Sequence, residues 1–122
     1  MNRKYRLTRT SDIQRVRRSG RSFAHPLLVL VVETGEPDKQ FQLAFLASKS
    51  LGQAVNRNRA KRLLRAAFEP FVNSIKPGCN ALVIAREDLL SSSFLDIEQA
   101  IEQMLKKARI MKENDATFGS KN

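Results

Sequence analysis

A chain of 122 residues with 42% hydrophobic content is long enough for one modest core and too short for two, so residues 1–111 are expected to form a single domain and residues 112–122 a flexible tail. Its 22 Lys and Arg against 12 Asp and Glu give a net charge of +10 and a pI near 10.5, a balance that points toward nucleic acid or an anionic membrane surface. The single Cys79 and single His25 exclude an internal disulfide and a thiol or imidazole metal cluster within the chain, and no run approaches the roughly 20 apolar residues of a membrane span.

The first helix is expected from Ser11, whose hydroxyl can cap with Gln14 three residues on, to Gly20. Ile13 and Val16 give it a narrow apolar side, and Arg15, Arg17 and Arg18 line the rest. Phe23 to Val32 reads as an extended run broken at His25-Pro26, with Leu27 to Val32 apolar on both faces as in a buried strand. After a turn at Glu36-Pro37-Asp38, Gln40 to Ser48 alternates, with Phe41, Leu43, Phe45 and Ala47 on one side, and is expected to be a hairpin partner of the preceding strand. A basic helix follows from Ala54 until Pro70 stops or kinks it. Pro77-Gly78 turns the chain into a short strand, Ala81 to Arg86. The last helix has Ser93 as cap, acids near its start, Lys106, Lys107 and Arg109 near its end, and a buried stripe of Ile97, Ala100, Ile101, Met104, Leu105 and Ala108. Three helices and a mixed sheet make an α+β sandwich.

The basic excess is local. Residues 1–25 carry eight Arg or Lys against one Asp, whereas residues 76–122 balance at seven each. In Ala54 to Arg65 five of twelve residues are Arg or Lys, and no Asp or Glu occurs between Asp38 and Glu69. Wound at about 100° per residue, Arg57, Asn58, Lys61, Arg62 and Arg65 are expected on one broad face, Arg59 on its far flank, and Ala60, Leu63, Leu64, Ala67 and Phe68 opposite. A helix needing only solubility would interleave acids at i,i+4 spacing; uncompensated like charge points to a polyanion. A basic run alone is a weak motif, since charged helix faces are mostly just solvated.

Order and surroundings lift it above that. The segment A-V-N-R-N-R-A-K-R-L-L-R-A-A-F, preceded by Ser48-Lys49-Ser50-Leu51-Gly52, resembles the most diagnostic stretch of the bacterial ribonuclease P protein family. Gly52, Arg57, Asn58, Arg59, Lys61, Arg62 and Arg65 each fill a matching place, and the likeness extends from Arg6-Leu7 through Asp12, Val16 and Gly20 to the final helix. The resemblance implies the order α-β-β-β-α-β-α, a two-layer sandwich on a mixed four-stranded sheet, and a left-handed crossover through the central helix, against the usual handedness. It also implies a cytoplasmic RNA-binding subunit of an endoribonuclease that removes the 5′ leader from precursor tRNA. The partners are then a catalytic RNA, which holds the magnesium ions and cleaves, and precursor tRNA; neither a membrane nor self-association is implied, and the protein alone binds no cofactor.

On that resemblance Arg57, Asn58, Arg59, Lys61, Arg62 and Arg65 are the RNA-binding candidates, arginine because its planar fork matches two phosphate oxygens and stays charged. Leader binding calls for a basic groove with stacking platforms. Ile13, Arg17 and Val31 stand where family members commonly carry aromatics, and Ser50 replaces the second of a common lysine pair, so leader contact is expected to rest on Arg17, Lys49 and apolar contacts with Ile13 and Val31. No catalytic residue is assigned: His25 has no evident acidic partner, and Glu36/Asp38 and Glu87/Asp88 sit in turn-like sequence. Two other classes share the electrostatics, a ribosomal RNA-binding protein and a helix-turn-helix DNA binder. The ordered block from Gly52 to Arg65 argues against the first, and the strands flanking the basic helix against the second.

Overall fold

The computed structural model describes residues 5–112, so the expected tail lies outside the described residues apart from Lys112. The elements are α1 (Thr10–Ser19), β1 (Arg21–Ala24), β2 (Leu28–Thr34), β3 (Gln42–Ala47), α2 (Ala54–Phe68), β4 (Cys79–Ala85) and α3 (Phe94–Ala108), with short 3-10 turns at Lys49–Leu51, Glu69–Ser74 and Glu87–Ser91. The strands form one mixed sheet in the order β1-β2-β4-β3. β2 runs antiparallel to both neighbours, Arg21 facing Val32 and Leu28 facing Ala85, whereas β3 and β4 are parallel, with Leu43 beside Ala81. The β3–α2–β4 unit is thus a crossover between parallel neighbours, consistent with the left-handed connection that the resemblance implies.

β3 is therefore not the hairpin partner of β2, because β4 occupies the slot between them. Alternation at Gln42–Ala47 specifies a strand and its faces but not its neighbour. The seven residues from Gly35 to Phe41 can reach roughly 23 Å, more than the about 10 Å across two strand spacings, so the connection spans the slot that β4 fills.

The sheet sorts its side chains by parity. Leu28, Leu30, Val32, Leu43, Phe45, Ala81, Val83 and Ala85 join the larger core with α2 and α3; Phe41 and Phe45 pack on Phe68, ring centroids 6.1 and 5.8 Å away. All six residues of the expected α3 stripe are buried, and Ser93 Oγ accepts the Asp96 amide at 3.1 Å. The opposite face carries the rows Val31–Leu82–Ala44 and Val29–Ile84–Leu46, and α1 packs there through Val16 and Ile13. α1 begins one residue before Ser11, and no side chain caps it, because Arg9 rather than Ser11 stands at the cap. At its far end Gly20 is wedged in: a Cβ would lie 2.6 Å from the Val16 carbonyl oxygen and 2.8 Å from Val31 Cγ1.

Candidate nucleic-acid interface

α2 leaves the sheet through a sharp joint. The turn at Lys49–Leu51 ends at Gly52, whose φ of 82° lies in the left-handed region that glycine tolerates best. Gln53 gives α2 no side-chain cap, and its first turn holds no acid. α3, by contrast, has both a Ser cap and Asp96. The partly positive N-terminal end of α2 is thus left without an internal anion, and the cations that follow add to it.

Arg59 and Arg62 are exposed together with Asn58, and Arg57, Lys61 and Arg65 are half-buried. Ala60, Leu64, Ala67 and Phe68 are buried, but Leu63 is only partly so. The two faces are not cleanly opposed as expected. Arg57 and Phe68 are eleven residues apart, close to three full turns, so they share one angular strip. That strip is basic where α2 projects past the end of β3, Arg57 Nη2 reaching the Ala47 carbonyl at 3.5 Å, and apolar where α2 crosses the sheet. Among the described residues no carboxylate is ion-paired with Arg57, Arg59 or Lys61; the ion pairs join Arg15 to Asp12 and Glu33, Lys39 to Glu36, and Lys106 to Glu102.

Arg65 differs from the rest. Its guanidinium carbon sits 5.6 Å from the Phe45 ring centroid, and its buried Nε has no hydrogen-bond partner. It closes one side of a cleft of about 170 Å³ along the outer edge of β3, lined also by Arg6, Leu7, Thr8, Ile13 and Leu43 to Leu46. Sequence reading missed Arg6, Thr8 and Phe45 here, because alternation on β3 carries no signal for an open edge.

On the α1 face the leader candidates separate. Arg17 and Lys49 are exposed and Ile13 is half-buried in the cleft. Val31 is 3% exposed, sealed in its row by α1, so it supports the floor rather than offering contact. The next row has more open surface, Val29 and Leu46 half-buried either side of Ile84. Arg15 is occupied: Asp12 at 2.6 Å and Glu33 at 3.0 Å hold it, raising its pKa further and lowering that of Glu33. His25 Nδ1 accepts the Leu27 amide within its turn. Cys79 is buried, and burial pushes its thiol up, away from reactivity. Among the described residues no group of three or more His, Cys, Asp and Glu could hold a metal ion, and no helix is long and apolar enough to cross a membrane.

The fold and this surface define a small α+β protein with a cationic crossover helix. The family described as Ribonuclease P matches residues 1–109. The ribonuclease P protein component of Listeria welshimeri is 33% identical over 113 residues, covering 93% of this chain and 95% of that one; the one from Herpetosiphon aurantiacus is 36% identical over 110 residues, covering 90% and 89%. The solved structure of the Staphylococcus aureus RNase P protein superposes with a TM-score of 0.77 at 31% identity, over 88% of this chain and 98% of that one. The chain belongs to the ribonuclease P protein family.

Proposed function

We propose that this protein works in the cytoplasm as the RNA-binding subunit of ribonuclease P, helping a catalytic RNA remove the 5′ leader of precursor tRNA. The observation that carries this is the positive end of α2: an uncapped helix start followed by Arg57, Arg59 and Lys61 with no carboxylate ion-paired to them among the described residues. Such a helix lowers the repulsion between crowded phosphates, and guanidinium forks add directional hydrogen bonds. Arg57, Asn58, Arg59, Lys61, Arg62 and Arg65 do this in the reading we favour, while the RNA subunit holds the magnesium ions and supplies the cleavage chemistry. The leader then lies on the α1 face over Val29, Ile84 and Leu46, with Arg17, Lys49 and Ile13 alongside; apolar and electrostatic contact replaces aromatic stacking there.

The test is reconstitution with a bacterial ribonuclease P RNA at low magnesium. Faster cleavage of precursor tRNA at its 5′ processing site is expected on adding the protein. No stimulation at any protein concentration would reject the reading.

A further inference from the structure

The two ends of α3 carry opposite charge, a pattern that the RNA candidates leave unused. Three large hydrophobic side chains are exposed among the described residues, and two of them, Phe94 at 43% and Leu95 at 60%, stand side by side in the first turn of α3. Flanking them in the chain are Glu87 and Asp88 of the preceding turn and Asp96 and Glu98 of the helix, none of them ion-paired among the described residues. The neighbouring Arg86 is turned instead to the His25 carbonyl, at 3.2 Å. At the far end of α3, Lys107, Arg109 and Lys112 are exposed without an ion pair, whereas Lys106 is held by Glu102 at 3.5 Å. Lys76, also exposed and without an ion pair, joins them: its amide donates to the Ile110 carbonyl at 2.8 Å, the Lys112 amide donates to Ser74 at 2.6 Å, and half-buried Met111 bridges to Ile75. The macrodipole of α3 accounts for Asp96 and Lys107, but Glu87, Asp88, Lys76 and Lys112 lie outside the helix.

We propose that the start of α3 docks head to tail on the end of α3 in a second copy of this chain. Charge complementarity selects that occupant. The carboxylates of Glu87, Asp88, Asp96 and Glu98 meet the cations of Lys76, Lys107, Arg109 and Lys112, and Phe94 and Leu95 meet Met111, whose flexible thioether adapts to an irregular apolar surface. RNA is a poor occupant of the acidic end, because its phosphates are repelled there. The two ends cannot meet within one molecule, since the 15 residues of α3 hold them roughly 22 Å apart. The contact is therefore heterologous, and every added copy leaves one end of each kind open. The net charge of +10 opposes it at long range, which keeps the association weak and concentration-dependent. It uses none of the residues assigned to RNA, so it goes beyond the RNA-binding reading and stands apart from it.

Sedimentation velocity on the full chain at physiological ionic strength tests this. The sedimentation coefficient should rise with concentration into the millimolar range, and Leu95→Ser, at an exposed position, should weaken the association about ten-fold. Asp88→Asn/Leu95→Ser damages the acidic end and Lys107→Gln/Arg109→Gln the basic one. Each double variant alone should lose most of its association, and an equimolar mixture should regain the wild-type affinity in a dimer that grows no further, joined through the one intact end of each. Thermal melts identify a double variant that fails to fold, in which case the Leu95→Ser comparison decides. A wild-type chain that stays monomeric, association unchanged in Leu95→Ser, or a mixture of two folded variants that regains nothing would each overturn the proposal. A monomeric wild type whose RNA affinity falls with Lys107→Gln/Arg109→Gln would give the basic end to RNA and overturn it as well.

Discussion

The Arg15 guanidinium spans the Glu33 carboxylate, Nε lying 3.0 Å from Oε2 and Nη2 3.0 Å from Oε1, and so binds α1 to the end of β2. Asn80 on β4 donates to the same carboxylate at 3.1 Å, extending the tie to a third element. Of the first helix's arginines, this one is therefore a fastening, and Arg17 and Arg18 are the exposed charges.

Glu33→Gln should lower stability by about 1 kcal/mol, a value discounted because the pair is partly exposed. The wild-type contribution has a definite pH window. Because the folded-state pKa of Glu33 is lowered, chiefly by its hydrogen bonds from Arg15, the contribution is complete above the ordinary carboxylate range and fades as pH falls through the depressed value. Urea melts of both proteins at neutral and acidic pH should converge on acidification; a constant gap would show that the carboxylate charge is not what matters.

Arg59→Ala and Arg62→Ala should each weaken association with ribonuclease P RNA and reduce the slope of log affinity against log salt by about one, since each removes one exposed cation from the helix. Binding isotherms across a salt series measure this. An unchanged slope would mean that these side chains face solvent in the complex.

Leu64→Ala tests the back of the same helix. Leu64 is fully buried between α2 and the sheet, so truncation should cost about 2–5 kcal/mol through lost burial and a residual cavity. The salt slope of whatever remains folded should be that of the unaltered protein. A cost below about 0.5 kcal/mol would mean that α2 is not packed as described.

Gly20→Ala forces a methyl group against the Val16 carbonyl and Val31. Either the α1–β1 joint opens or the sheet shifts, and overpacking of this kind typically costs about 1–3 kcal/mol. Thermal melts should show the loss, accompanied by earlier amide exchange in α1 than in α3. Unchanged stability would count against the tight wedge.

Element positions were legible because they are set locally. Pro70 bounds α2 and starts the 3-10 turn after it, His25-Pro26 splits the first extended run, and Ser93 caps α3. Neighbour relations were not, because they depend on distant segments: nothing in Gln42–Ala47 tells it to pair with a strand more than thirty residues later. The α2 candidates were found by charge, but their division was hidden by reading the helix as two opposed faces. Arg57 and Phe68 lie on one strip and differ only in what lies beneath them.

The sheet order also dictates a sequence of assembly. Among the described residues β3 pairs with no strand but β4, so the seat of the cationic helix, begun by Phe41 and Phe45 against Phe68, is completed only when Cys79–Ala85 joins β3 to β2.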